Sequence, residues 1–279
     1  MAYEAELSRA NPTCLVFLID QSSSMAEPFG AQPEQAKSSG VADSINRLLQ
    51  NLILKCAKSD GIRDYFHVGV IGYGGQVSWA LGGELTGRKL TPISDVASHP
   101  LRIEPRTRKV SDGAGGLIEQ KFKFPVWFEA TAGGRTPMCK ALGEASKEIA
   151  GFIERFPDAF PPLVINITDG KATDGNPEQA AGQRIKLQTS DGAVMLFNAH
   201  LSSSPVRAIE FPSREGELPD PEARILFRMS SVLPRKFREA AKGEGFAVND
   251  NTRGFVFNAD LVSVIRFLEI GTRAAQTVR

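Results

Sequence analysis

Asp20-Gln21-Ser22-Ser23-Ser24 places one carboxylate and two hydroxyls at alternate positions, directly after the apolar run Cys14-Leu15-Val16-Phe17-Leu18-Ile19. These are hard oxygen donors, of the kind that bind Mg²⁺ or Ca²⁺. One acid and two neutral hydroxyls do not satisfy a divalent cation. Further ligands have to come from elsewhere, either distant parts of the chain or another protein. An aspartyl-phosphate enzyme also begins with an apolar strand ending in Asp, but it usually carries a second acid two residues on. Here that position is Ser22.

The elements that position these groups follow from periodicity. Residues 14–20 read as a buried parallel strand, short and apolar throughout. After a Pro-containing loop, Val41, Ile45, Leu48, Leu49, Leu52 and Cys56 recur at three- and four-residue steps and predict a helix. Phe66 to Tyr73 reads as a second strand, and Gly74-Gly75 turns it into a short third strand over Gln76–Leu81. From Gly82 to Pro125 the pattern weakens. Gly, Pro and charge dominate, Arg102, Arg106, Arg108 and Lys109 cluster, and Gly113–Gly116 is turn-like, so 82–125 is expected as an inserted long loop, decorated with short strands. The loop leads into Phe124-Pro125-Val126-Trp127-Phe128, where Trp127 and Phe128 are expected to plug the core beneath it, with an exposed aromatic anchor for a partner as the alternative.

Thr136-Pro137 opens a helix running to about Arg155, with Pro137 in the first turn. Leu163 to Thr168 is another buried strand. Asn176-Pro177 caps a helix to about Leu187. Ala193–Asn198 is a strand, 202–222 a surface excursion, and Arg224–Met229 and Lys236–Lys242 short helices. Gly254–Phe257 forms a last strand and Leu261–Leu268 a closing helix. Strands alternating with helices point to an α/β fold with a doubly wound, mostly parallel central sheet in a single domain over 1–279.

In such a sheet, ligands bind at the carboxyl ends of the strands near the point where strand order reverses. Three polar segments are expected there: Asp20-x-Ser22-x-Ser24, Gly133-Gly134-Arg135-Thr136-Pro137, and Thr168-Asp169-Gly170. With all three in this order, the chain from about Asn11 to Gly271 resembles a von Willebrand factor A (vWA) domain with a metal-ion-dependent adhesion site, in its bacterial intracellular form. The resemblance implies that Ser22, Ser24 and Thr136 supply hydroxyl oxygens, and that Asp20 and Asp169 contact the metal directly or through water. It implies Mg²⁺, with Mn²⁺ or Ca²⁺ able to substitute, and a last ligand supplied by an Asp or Glu of a partner protein. Intracellular vWA proteins of this kind resemble partners of MoxR-type AAA+ ATPases, and companions of protein kinases and PP2C-like phosphatases in stress, signalling or conflict systems. Arg135 beside the site reads as a solvent-facing residue, or as one that shapes ligand preference. Asp174 reads as an Asx-type turn before Asn176, or as an acid bracing the metal ligands.

Composition sets outer limits. Of 279 residues 42% are hydrophobic and 23% charged, with a formal net charge of +1. The molecule as a whole therefore carries no nucleic-acid or membrane bias. No run approaches the roughly 20 apolar residues of a membrane span. Met1–Glu6 carries acids and no basic stretch, so it does not read as a signal peptide. Cys14, Cys56 and Cys139 form no C-x-x-C pair, and the expected compartment is a reducing cytoplasm. His67, His99 and His200 are scattered and are expected as satisfied surface or edge residues. There is no G-x-S-x-G elbow and no Walker-type P-loop. The expected function is a non-enzymatic, metal-dependent protein-interaction module. Two alternatives stand beside it: a Mg²⁺-dependent phosphohydrolase using Asp20, and a vWA scaffold that binds through its 82–125 loops with the metal site vacant.

Overall fold

The structure, a computed structural model, describes residues 3–29, 32–111, 113, 116–184, 187–202, 207–258, 266 and 269. In chain order the principal elements are β1 (Thr13–Asp20), α1 (Lys37–Cys56), β2 (Phe66–Tyr73), β3 (Val77–Trp79), β4 (Thr91–Pro92), α2 (Ile93–Ser98), β5 (Arg102–Ser111) and β6 (Leu117–Val126). They continue with α3 (Met138–Arg155), β7 (Leu163–Thr168), α4 (Pro177–Arg184), β8 (Met195–His200), β9 (Ile209–Glu210), α5 (Pro221–Met229), α6 (Arg235–Gly243) and β10 (Phe255–Phe257).

The central sheet runs β9-β10-β8-β7-β1-β2-β3, with β4 also paired to β2. Its middle is parallel: β10 on β8, β8 on β7, β7 on β1 and β1 on β2. Antiparallel strands close both margins. All eight residues of β1 are buried, because both faces of the sheet are covered by helices. Leu15, Phe17 and Ile19 pack in one core cluster with Val41, Ile45, Leu48 and Leu49 of α1 and Phe237 of α6. Cys14, Val16 and Leu18 pack in another with Ala141, Leu142, Ala145, Ile149 and Phe152 of α3 and Leu226 and Phe227 of α5. The two-residue period of the strand splits its side chains between these cores. The fold is a doubly wound α/β sheet.

Strand order reverses at β1. The chain leaves β1 through α1 to β2 on one side, and later enters β7 on the other. The crevice above the carboxyl ends of β1 and β7 is therefore the switch point where open α/β sheets bind ligands. Among the described residues no helix is long and apolar enough to cross a membrane.

The segment expected as a loop over 82–125 is largely ordered. β5 and β6 form a ten-residue antiparallel hairpin in register from Arg102↔Val126 to Ser111↔Leu117. Its alternation is hidden in the sequence because polar and charged residues occupy both faces. Arg106 lies flat over Phe124 at 3.7 Å and pairs with Asp43 at 2.9 Å and Glu104 at 2.8 Å. Arg102 pairs with Glu104 and Glu129. Much of the basic cluster is thus neutralised within the fold. Phe124, Trp127 and Phe128 are buried at its base, and the Trp127 indole donates to the Val96 carbonyl.

The excursion after β8 is anchored by buried Phe211 and Leu218 and by β9, an edge strand on β10. Residues 203–206 of that excursion, and the expected closing helix apart from Arg266, lie outside the described residues.

Candidate functional site

Asp20 ends β1 and is fully buried. One oxygen, Oδ1, accepts the Ser22 amide at 2.8 Å, and Oδ2 accepts the Thr168 hydroxyl at 2.6 Å. Burial pushes its carboxyl above the usual range, while the bonds from Thr168 and Ser22 pull the other way. Asp20 thus ties the end of β1 to the end of β7. Thr168, which opens the polar segment expected at this edge, is fully buried and performs half of that bridge. Below it, Tyr73 donates to Asn166 at 2.6 Å, Asn166 donates to Asn198 at 2.9 Å, and Asn198 donates to Ser230 at 2.9 Å. A satisfied polar row therefore crosses the sheet under the site.

The two serines follow the turn. Ser22 Oγ and Ser24 Oγ lie 3.1 Å apart, and Ser24 donates to Asp169 Oδ1 at 2.7 Å. Three of the residues singled out in the sequence, drawn from two segments 145 positions apart, are therefore joined in one chain of contacts.

The third segment is stitched on by its backbone. The Gly133 amide donates to the Gln21 carbonyl at 2.7 Å, and the Ser23 amide and hydroxyl both donate to the Gly134 carbonyl at 3.2 Å. Thr136 is buried; its amide donates to the Thr173 hydroxyl at 3.1 Å and its carbonyl accepts the Thr173 amide at 2.9 Å. This closeness depends on glycine. Gly134 has φ +84°, and a Cβ there would meet the Gly75 Cα at 2.5 Å. A Cβ on Gly74 would meet the Gln21 carbonyl oxygen at 2.5 Å and that of Gly133 at 2.7 Å. Gly74-Gly75, read in the sequence as a turn, also forms the wall against which the Gly133–Thr136 loop packs.

Asp174 and Arg135 stand apart from this cluster. The Asp174 carboxylate accepts the amides of Cys139 at 3.0 Å and Lys140 at 2.8 Å, so it caps the first turn of α3. The turn before α4 is held instead by Asn176, whose Oδ1 accepts the Glu178 amide at 2.9 Å. Arg135 is exposed. The Cys139 thiol is pushed up to about 11, first by burial and then by the Asp174 charge, which suits it poorly to nucleophilic work.

Among the described residues no three His, Cys, Asp or Glu side chains gather at a metal-binding spacing. A cation here would rest on hydroxyls, one or two carboxylates and waters. That hard, oxygen-only set fits Mg²⁺, which keeps several waters and takes few carboxylates.

The sequence reading missed Lys37. Its ammonium lies 2.9 Å from Asp169 Oδ2 and 2.9 Å from Glu27 Oε2, with the side chain only 3% exposed. The histidines also depart from expectation. His200 is buried, His67 is half-buried, and the Nδ1 of each has no hydrogen-bond partner among the described residues. Burial holds both below the usual histidine value of 6.5.

No family model matches the chain, and no curated protein matches it in sequence. Among solved structures, it is similar to the three N-terminal domains of the type V pili tip protein Mfa5 from Porphyromonas gingivalis, at TM-score 0.33 and 16% identity over 58% of this chain. It is similar at the same values to the vWF domain of that protein alone. The chain spans 20% of the first of those chains and 39% of the second.

Proposed function

We propose that this chain is a metal-dependent protein-interaction module of the vWA type, in which a divalent cation, Mg²⁺ by preference, recruits an acidic residue of a partner. The observation that supports the reading most is the contact chain Ser22–Ser24–Asp169 at the switch point of the sheet, with Asp20 bracing it from beneath. Ser22, Ser24 and Asp169 are the groups that would hold the ion, with Thr136 nearby on the adjoining loop. Asp20 would act mainly through the amide and hydroxyl it already binds. The ion would supply an electrophile for the incoming carboxylate. Neutral hydroxyls leave such an ion short of negative charge, and a carboxylate then gains a charge-assisted contact.

The partner classes this reading carries are a MoxR-type AAA+ ATPase, a protein kinase or a PP2C-like phosphatase, in a bacterial cytoplasmic setting. The phosphohydrolase reading needs Asp20 to attack, yet both its oxygens accept hydrogen bonds and the side chain is fully buried. A loop-only reading would use the β5–β6 hairpin, where Ile103, Leu117 and Ile118 are more than half exposed.

The test replaces Ser22 and Asp20 by Ala together. Metal affinity is read by calorimetry, and binding to the products of neighbouring genes by pull-down. Loss of both in a folded double variant is expected. Undiminished partner binding would rule out the metal bridge. A phosphoester turnover that requires Mg²⁺ and disappears in Asp20→Asn would install the enzyme reading instead.

A further inference from the structure

Lys37 is the first residue of α1, and the helix start delivers its side chain into the crevice. Lysine is almost never fully buried unless paired. Here the pairing is with the candidate site itself: Asp169, 1% exposed, at 2.9 Å, and Glu27, 56% exposed, at 2.9 Å. The other Asp169 oxygen accepts the Ser24 hydroxyl at 2.7 Å. Both oxygens of the carboxylate are therefore engaged, one of them by a full positive charge.

The charge balance differs from that of a site built for a divalent ion alone. Asp20 and Asp169 contribute two negative charges at the buried end, and Lys37 removes one. An ion resting on Ser22, Ser24 and Asp169 would sit close to an ammonium in a water-poor crevice, where like charges repel strongly. Glu27 sits at the exposed end of the same ammonium. Turning toward Glu27 would let Lys37 release Asp169 without becoming an unpaired buried charge.

We propose that Lys37 is a tethered cation of this site: it holds Asp169 and Ser24 in place in the absence of a divalent ion, and it competes with that ion for Asp169. The inference rests on the metal-site reading above and adds a resident competitor to it. The site is then preassembled, binds metal weakly, and leaves a bound ion with less negative charge around it, and so more attractive to an incoming carboxylate.

The experiment titrates MnCl₂ into the full chain by calorimetry. The variants are wild type, Lys37→Met, Lys37→Gln and Lys37→Arg, plus Lys37→Gln combined with Ser22→Ala and Ser24→Ala. Circular dichroism confirms that each is folded. The Gln variant can still hydrogen-bond Asp169 and guards against unfolding of the Met variant. Removing the charge is expected to tighten Mn²⁺ binding by about tenfold or more, Lys37→Arg to stay as weak as wild type, and the serine substitutions to abolish the gain. Binding by the Gln variant with none by wild type also supports the proposal, and takes the metal out of the native function. Equal affinity in wild type and a folded Gln variant overturns the tethered cation and leaves the metal site standing. No binding by any folded variant overturns both.

Discussion

A serine that donates its proton to a buried carboxylate can only accept elsewhere, and Ser24 is in that position, taking the Ser22 hydroxyl on one lone pair. Replacing it by Ala leaves Asp169 Oδ1 short of one donor. A loss of about 1–2 kcal/mol is expected in urea unfolding, together with weaker Mn²⁺ binding. Asp20, Ser22, Ser24 and Asp169 were legible in the sequence because each follows an unmistakable apolar strand, so their place at a sheet edge could be read from one short window. Lys37 was not legible, nor was the bond that Thr168 makes to Asp20. A lysine opening a polar helix turn resembles any solvent-facing residue, and its partner Asp169 lies 132 positions away. The histidines carry a pH prediction at this scale. The His67 ring packs against Phe152 and Phe156 at 5.6 and 5.7 Å, and burial, reinforced by Arg155, lowers its pKa. The unfolded chain therefore binds the proton more readily than the native one, so stability is full above the ordinary value of 6.5 and is lost as pH falls below it. His67→Phe should flatten the pH dependence of the urea midpoint between about pH 7 and 5, leaving the share due to His200. An unchanged slope would show that His67 takes up its proton as readily in the fold as in the unfolded chain.

Among elements, the loops matter more than the helices that follow them. Gly134→Ala puts a Cβ at φ +84° and 2.5 Å from Gly75. It should cost about 1–3 kcal/mol in chemical unfolding and draw Thr136 away from the serines. Gly75→Ala is the internal contrast: its Cβ would meet nothing within 4 Å, and the midpoint should hardly move. Asp174→Ala strips two amides of their acceptor at the start of α3 and should cost about 1 kcal/mol, the usual scale of an N-terminal cap. Its metal titration should match wild type, since its oxygens are taken by the Cys139 and Lys140 amides. The elements themselves were largely readable: Phe66–Tyr73 and Leu163–Thr168 coincide with their apolar runs, and α1 with its three- and four-residue repeat. The β5–β6 hairpin was not, because Arg, Glu, Lys and Gln alternate on a ribbon with only a small buried base. Cross-strand pairing of polar side chains creates that hairpin, and hydrophobic alternation does not announce it.

At the scale of the molecule, the hairpin is an outgrowth and the sheet is the foundation. From Lys109 to Glu119 the hairpin holds no fully buried side chain among its described residues. Replacing 109–119 by a short turn should leave the thermal midpoint within a few degrees of wild type and Mn²⁺ binding unchanged. A collapse of the fold on that replacement would place the arm inside the cooperative unit. The groove between the arm and α1, about 690 Å³ and lined in part by Arg47, Leu54, Arg108 and Lys123, would be altered by the same change.

The position of β1 has a consequence in time. It meets β2 early, but its other neighbour is β7, and the Asp20–Thr168 bond closes a span of 148 residues. Contacts so distant along a chain form late and slowly. On a ribosome, the first half of the sheet can pair while Asp169 has yet to leave the exit tunnel. The crevice is therefore completed only once β7 and Asp169 have emerged, and a nascent or truncated chain that ends before β7 displays Asp20 and its serines without Thr168 and Asp169 to bond them.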